Sequence, residues 1–252
     1  VLTEVKTIQR KQKAMINTFI NNLGYQHVAI NCDHTSGGVL IASRLDEEPK
    51  FIYDMPHNNI EEIYNEKRCL TAVFSELPLN VVAHYSPFYN VDTPGRTEQV
   101  EKYRQTFNEF IAKDLILNNR QPGRGRNTII TGDLQVAMTT QDISKNCNEN
   151  TPGSLPQEKD IFRELLSQGY TDVFRRLHPN KNETTCHSKY YSKTGKDLQS
   201  KRIDHILTSE RIIPLDCHIL PVPPTLSDHS AIHATLDIPR QTILPPLKRE
   251  EK

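Results

Sequence analysis

The sequence predicts one strand-rich domain of the α/β (α+β) class, built in layers and carrying long loops. Its 252 residues suit a single large domain, and 36% of them are hydrophobic, which is enough for a core. Short apolar runs typical of strands outnumber the segments with helical periodicity, and the two kinds alternate along the chain. No internal repeat is visible, so a solenoid or a propeller is not expected.

The spacing of apolar side chains places the individual elements. Helical spacing predicts helices at 11–23, 98–117 and 161–168, and Gly24 and Gly169 end the first and the third. Residues 173–179 are interpreted as leading into a turn. Apolar runs bounded by turn residues predict strands at 25–32, 37–42, 70–74, 80–85, 128–131, 202–207, 217–222 and 231–236.

The two ends of the chain differ from its middle. Val1 opens what resembles the end of a strand, so we expect a fragment of a longer protein. From Pro239 the sequence is rich in proline and charge, as in a linker. The predicted organisation is a domain at 1–238 and a tail at 239–252. No apolar run is long enough for a membrane span, so no membrane partner is expected.

Composition restricts the function classes only weakly. Lys+Arg and Asp+Glu both number 31, and the resulting formal net charge of zero does not by itself favour nucleic acid. An acidic metal site would, however, offset basic residues elsewhere. The five cysteines form no C-x-x-C pair, so we expect free thiols in a reducing compartment rather than disulfides or a structural zinc site.

Acidic residues stand repeatedly at predicted strand ends. They are Glu4, Asp133, Asp204 and Asp228, the last followed by His229. Strand ends of one sheet meet at one edge, where several carboxylates raise each other's pKa unless a cation is present. Oxygen ligands favour Mg²⁺ or Mn²⁺ over zinc. The pattern therefore predicts a divalent-metal site suited to phosphoryl chemistry.

Seven motifs between residues 2 and 238 resemble those of exonuclease III-like enzymes, members of the endonuclease/exonuclease/phosphatase superfamily. In chain order they are LTEVK at 2–6, GGVLI at 37–41, HYSP at 84–87, TGDLQVA at 131–137, YTDVFRRLHP at 170–179, RIDHIL at 202–207 and LSDHSAI at 226–232. The resemblance implies a four-layer α/β sandwich of two packed, mainly antiparallel β-sheets, here lacking the first strand. It also implies that Glu4 binds the metal, with Asp228 beside it.

The same resemblance implies the catalytic roles. Tyr85 would donate a hydrogen bond to the scissile phosphate. Asp133 would position or activate the attacking water with the help of the Gln135 amide. Asp204 would orient His229, and His229 would contact the phosphate.

Four departures from the family pattern bear on activity. The family's opening strand carries an Asn that has no counterpart after Val1, and Phe88 replaces another Asn. Gln135 replaces a third Asn and is one methylene longer. Abasic-site endonucleases carry an aromatic pair where this chain has 185–188 (TCHS). The missing aromatic pair argues against a dedicated abasic-site enzyme, while the missing opening strand and Gln135 leave a catalytically impaired domain as an alternative.

The predicted function is divalent-metal-dependent hydrolysis of DNA phosphodiester bonds. The pairing of SKRIDHIL with LSDHSAI is similar to the endonuclease domain of LINE-type retrotransposons, which nicks target DNA. The tail would then link the domain to a reverse transcriptase in a longer polyprotein. Abasic-site repair and a phosphatase of the same superfamily remain alternatives.

Basic segments predict the DNA contacts. The partner is expected to be a DNA duplex, bound by a monomeric domain through phosphate contacts and base stacking. The candidate residues are Arg124, Arg126, Lys189, Tyr190, Lys201 and Arg202.

Overall fold

The structure, a computed structural model, describes residues 1–7, 9–32, 37–53, 67–88, 95–112, 127–145, 147–187, 200–223 and 225–240. These residues form eleven strands, four α-helices and one 3₁₀ turn. In chain order they are β1 (Leu2–Val5), α1 (Gln9–Asn21), β2 (His27–Asn31), β3 (Gly38–Ser43), β4 (Lys50–Tyr53), β5 (Cys69–Phe74), β6 (Leu79–Tyr85), α2 (Arg96–Phe110), β7 (Asn127–Asp133), the 3₁₀ turn (Thr140–Asp142), α3 (Pro156–Ser167), β8 (Tyr170–Asp172), α4 (Val173–Leu177), β9 (Asp204–Ser209), β10 (Ile213–Leu220) and β11 (Ala231–Asp237).

A central sheet of six strands has the order β4-β5-β6-β7-β9-β8. Its neighbours are antiparallel except for β6 and β7, which are parallel. A parallel pair needs a long crossover connection, and α2 lies in this one. Antiparallel pairing also joins β1-β3-β2 into a second sheet and β10-β11 into a hairpin.

Alternating side chains bury both faces of the central sheet. On one face, Val82, Ile130 and Leu207 pack against Phe107 of α2 and Phe162 of α3. Successive side chains of a strand point to opposite faces, so the neighbouring positions serve a different core. That second core lies between the central sheet and β1-β3-β2.

Between the two sheets, Leu70 and Ala83 pack with Val39 and Ile41 of β3. Leu40, between those two β3 residues, faces the opposite way and belongs to the cluster that α1 covers. The layers are therefore α1, the sheet β1-β3-β2, the central sheet, and α2 with α3. The predicted four-layer sandwich of packed, mainly antiparallel sheets is confirmed.

The hairpin β10-β11 is a difference from the expected two sheets. It packs against α4, with Cys217 and Ile219 meeting Val173 and Phe174. Among the described strands, none hydrogen-bonds to both the hairpin and β1-β3-β2, so the two remain separate sheets.

Local hydrogen bonding explains where the predicted elements differ from the observed ones. Residues 173–177 form helix α4 rather than part of a turn, because the Asp172 carboxylate accepts from the Arg175 amide and caps the helix. The strand predicted at 202–207 begins at Asp204 because Arg202 N donates to Asp142 O instead. Residues 113–126 and 241–252, which hold the end of the second predicted helix and most of the predicted tail, lie outside the described residues.

In the described part of the chain, no helix has both the length and the apolar character needed to cross a membrane.

Candidate active site

Three candidate residues lie side by side where three neighbouring strands of the central sheet meet one edge. Tyr85 ends β6 and faces Asp133, which ends the parallel strand β7. Asp133 in turn faces Asp204, the first residue of the antiparallel strand β9. We call Tyr85, Asp133 and Asp204 the strand-end row. Pairing of the backbone alone brings together residues that are far apart in sequence.

Asp133 is fully buried, and both of its carboxylate oxygens are held by Gln135. Oδ1 accepts from the Gln135 backbone N at 3.0 Å, and Oδ2 accepts from its Nε2 at 2.6 Å. Burial raises the pKa of Asp133 well above its usual value, and the nearby carboxylates of Asp204 and Glu4 raise it further. A buried carboxylate in this setting accepts a proton or a cation readily.

His229 is joined to the strand-end row by a 2.8 Å contact between its Nδ1 and Oδ2 of Asp204. Burial disfavours the charged ring, but hydrogen bonds to Asp204 and Cys186 and the charges of Asp204 and Asp133 raise the pKa of His229 to about 12. The imidazole is therefore cationic at neutral pH and suited to donating a hydrogen bond to an anion.

Tyr85 is held by a hydrogen bond at its hydroxyl and by close contacts to its ring. Its Oη donates to Oε1 of Glu4 at 2.7 Å. The Arg68 guanidinium lies 4.5 Å from the ring centre, and a Cβ at Gly37 would come within 2.2 Å of the ring. Burial and the Glu4 carboxylate raise the pKa of Tyr85, so the phenol stays neutral and keeps its proton to donate.

The donor set at this edge is compatible with a divalent cation. Ligand atoms of Asp133, Asp204 and His229 all lie within 4.8 Å of one another. Because His229 is held as a cation, the carboxylates are the better ligands. The Glu4 carboxylate is connected to the strand-end row by the hydrogen bond that it accepts from Tyr85. For Asp228, one contact is at the backbone, where its carbonyl oxygen accepts from His187 N. The predicted metal roles of Glu4 and Asp228 stay predictions.

Comparison with solved structures gives the fold. An AP endonuclease from Archaeoglobus fulgidus superposes with a TM-score of 0.72 at 22% identity, covering 94% of this chain and 87% of that one. The 3'-5' exonuclease NExo from Neisseria meningitidis also superposes with a TM-score of 0.72 at 23% identity, covering 94% of this chain and 88% of that one.

Sequence comparison adds relatives by name, although no model of a known protein family matches the chain. Exodeoxyribonuclease III of Haemophilus influenzae is 28% identical over 231 residues, which cover 84% of this chain and 81% of that protein. The DNA repair nuclease APEX1 of Danio rerio is 29% identical over 159 residues. In sequence and in fold the chain is similar to exonuclease III-like and AP endonuclease proteins, and this similarity supports the endonuclease/exonuclease/phosphatase superfamily.

Coverage of these superfamily relatives is uneven. The match to the Danio rerio protein covers 62% of this chain and 47% of that protein. An exodeoxyribonuclease of Streptococcus pneumoniae is 32% identical over 119 residues, which cover 46% of this chain and 40% of that protein. The chain thus spans less than half the length of two of these relatives.

The structure contradicts the predicted DNA contact of Arg202. Its side chain is fully buried, with Nε 2.7 Å from Oδ1 of Asp142 and Nη2 2.7 Å from Oδ2 of Asp172. Although burial opposes ionisation of the two carboxyls, the guanidinium holds the pKa of both Asp142 and Asp172 below the usual range. The first residue of the motif R-I-D is therefore an arginine that pairs with two buried carboxylates and stabilises the fold.

The predicted DNA contact of Lys201 is also wrong in this structure. Its Nζ is turned inward and donates to Thr151 Oγ1 at 2.8 Å, Pro152 O at 2.7 Å and Ser154 Oγ at 2.9 Å. All three ammonium donors are used, so none is directed at a ligand. The remaining candidates, Arg124, Arg126, Lys189 and Tyr190, lie outside the described residues.

The sequence did not reveal the structural role of residues 185–187, part of the segment that stands where abasic-site endonucleases carry an aromatic pair. Cys186 bridges the backbones of Lys201 and His229, and Thr185 Oγ1 accepts from the backbone N atoms of Ile203 and Asp204. The segment therefore fixes Asp204 and His229 relative to each other. The residue types of this segment do not signal that role, because the contacts are backbone bridges at Cys186 and a hydroxyl at Thr185 whose partners are distant in sequence.

Proposed function

We propose that the chain is a divalent-metal-dependent phosphodiesterase that hydrolyses the DNA backbone with Mg²⁺ or Mn²⁺. The observation that carries the proposal is the Asp204–His229 pair beside buried Asp133 at the edge of the central sheet. The names of the relatives support DNA as the substrate, because they include exodeoxyribonuclease III and a DNA repair nuclease.

The residues divide the chemistry between them. A divalent cation held among the carboxylates would neutralise charge on the phosphate and on the departing oxygen. The His229 imidazolium would donate a hydrogen bond to a phosphate oxygen, and so would the Tyr85 phenol once its single proton turns from Glu4 to the substrate. Asp133, fixed through Gln135, holds the attacking water and takes its proton, for which its raised pKa is suited. Water oxygen then bonds to phosphorus as the phosphorus–sugar oxygen bond breaks.

For the substrate, we propose nicking of intact duplex, as in retrotransposon endonuclease domains. The segment in place of the abasic-site aromatic pair supports this choice, since Thr185 serves the backbone and offers no ring surface. Cleavage at abasic sites remains the second candidate, favoured by the similarity to a Dictyostelium discoideum DNA-(apurinic or apyrimidinic site) endonuclease, 25% identical over 225 residues.

Nicking of a supercoiled plasmid tests the chemistry. With Mg²⁺ the protein should nick the plasmid, EDTA should stop the reaction, and His229→Ala should lower the rate by a factor of about 100 or more. His218→Ala is the matched control, because the His218 side chain is exposed and lies against Asp216 on the hairpin β10-β11. Nicking that survives His229→Ala would overturn this assignment, and a folded but inactive protein would favour the impaired-domain alternative.

Two matched oligonucleotides test the substrate. One duplex carries a single abasic analogue, and the other is intact with the same flanking sequence. Similar cleavage rates are expected for backbone nicking. A large preference for the abasic duplex would instead assign the chain to repair.

A further inference from the structure

The two loops that carry the active-site residues leave the central sheet together. Ser86 and Pro87 follow Tyr85, while Leu134 and Gln135 follow Asp133. Ser86 N donates to Asp133 O at 2.8 Å, so the loops start as neighbours. Gln135 then turns sharply, with a φ of 56° in the left-handed region that residues other than glycine rarely adopt.

One buried side chain holds both loops from behind. Arg104 of α2 is 4% exposed, and its Nη2 donates to Pro87 O at 3.0 Å and to Gln135 O at 3.4 Å. The rest of the buried face of α2 is mainly apolar and packs into the core. Arg104 is therefore a buried polar link between this helix and the loops of the active site.

Glu158 of α3 balances the buried charge of Arg104. Its Oε1 lies 3.5 Å from Arg104 Nη1, and its side chain is fully buried. Its Oε2 accepts from Gly153 N at 2.7 Å and Leu155 N at 2.9 Å. Two packed helices thus fix the position of the guanidinium, and through it the positions of two loop carbonyls.

From this geometry we infer that Arg104 is a positioning residue, which sets the Gln135 backbone so that its amides clamp Asp133. This inference rests on the proposed function, because it assigns a role in that reaction. Arg104 is buried behind the two loops, so it would act through Gln135 and not on the substrate directly. The Gln135 carbonyl is anchored in the left-handed turn, and the backbone N and Nε2 of the same residue then reach the two oxygens of Asp133.

The kinetic test compares Arg104→Met/Glu158→Gln with Arg104→Lys. The double variant removes the buried charge pair together, which avoids leaving Glu158 as an unpaired ion. We expect its kcat to fall about 100-fold with KM unchanged, as for a misplaced catalytic group. Arg104→Lys keeps a cation beside Glu158 and should restore part of kcat. The control Lys102→Met removes an exposed cation from the same helix and should leave kcat unchanged.

A double-mutant cycle separates positioning from general loss of stability. In a Gln135→Ala background only the backbone N of residue 135 is left to position, so the Arg104 substitution should lower kcat by clearly less than the loss of about 100-fold expected in the wild-type background. An equal loss of kcat in both backgrounds would overturn the inference. So would a kcat within twofold of the wild type, or a loss that follows the unfolded fraction.

Amide hydrogen exchange provides a readout that needs no activity. Peptides spanning 86–88 and 133–136 should exchange at least about tenfold faster in Arg104→Met/Glu158→Gln and less so in Arg104→Lys, while exchange in β5 and β6 stays unchanged. Unchanged exchange in both loops would refute the anchoring role even if the wild type proves inactive on DNA. If the wild type is inactive on DNA but exchange becomes faster only in these loops, the anchoring role of Arg104 is supported and the proposed function is not.

Discussion

At Arg202 a guanidinium meets two carboxylates inside the protein. Asp142 comes from the 3₁₀ turn and Asp172 from the end of β8, so one side chain ties two distant segments to the start of β9. Arg175 adds a second cation on Asp142, and His205 lies 3.1 Å from Asp172. Removing the central cation would leave two buried carboxylates only partly compensated.

Arg202→Met should therefore lower the free energy of unfolding by about 3–5 kcal/mol, as expected when one partner of a buried pair is removed. Urea unfolding measures the effect. Arg163→Met is the control, because Arg163 pairs with Asp160 on the exposed surface of α3 and should change stability by less than about 1 kcal/mol. A stable Arg202→Met protein with weakened DNA binding would return Arg202 to the DNA interface.

Residue types identify the chemistry of a site better than they show whether a given side chain points into the site or into the protein interior. The pattern R-I-D marked both Arg202 and Asp204 as functional, yet only Asp204 faces the site. Whether a cation near a strand start turns inward depends on carboxylates elsewhere in the chain, here Asp142 and Asp172. Sequence spacing carries no information about such distant partners, nor about the neutral oxygens that hold Lys201, so the DNA contacts predicted for Lys201 and Arg202 were wrong.

At the level of elements, β7 depends on a glycine placed directly before Asp133. Gly132 has a φ of 140°, and a Cβ there would lie 2.1 Å from His84 O on the parallel strand β6. The β6–β7 pair therefore closes only when this position has no side chain. The Gly-Asp motif is thus explained by strand pairing as well as by chemistry.

Gly132→Ala should destabilise the protein by about 1–3 kcal/mol more than Gly24→Ala, because overpacking adds to the backbone strain. Gly24 also has a positive φ, of 69°, but has open space around it, so it isolates the conformational cost. Thermal unfolding of the two variants gives the comparison. Equal losses of stability would show that β6 and β7 can shift apart without cost.

Periodicity predicted the long elements of the fold and missed the short ones. α1, α3 and the buried strands β5, β6 and β7 have enough apolar positions to show a pattern. β4 and α4 have four and five residues, too few for any period to be visible. The cap at Asp172 is a local signal that would have located α4.

At the level of the whole molecule, a formal net charge of zero conceals an uneven use of the cations. Arg104 and Arg202 are buried against carboxylates, and Lys201 is buried against neutral oxygens. None of these three charges is displayed at the surface. Under the proposed function, attraction for a DNA backbone would come from other basic residues, and the sequence places a group of arginines at 120–126.

Replacing Arg124 and Arg126 by Ser should weaken binding equally for different duplex sequences. The slope of log affinity against log salt should become shallower by about 0.9 for each DNA phosphate that the protein no longer neutralises. Fluorescence anisotropy across a salt series measures both quantities. The control, Lys11→Ser with Lys13→Ser, removes two exposed charges from α1 in the outer layer. Matching slopes in both variants and the wild type would exclude the 120–126 segment.

The strand-end row also makes catalysis a sensitive reporter of correct folding. On β7, Ile129 faces the second sheet and Ile130 faces the helices. Side chains alternate along a strand, so Asp133 lies on the same face as Ile129. A slip of β7 by a single residue would turn the Asp133 carboxylate towards the helices, while the hydrophobic segments stayed buried. Such a misfolded species would remain compact and keep its secondary structure. Specific activity per molecule should therefore detect it where circular dichroism and size do not.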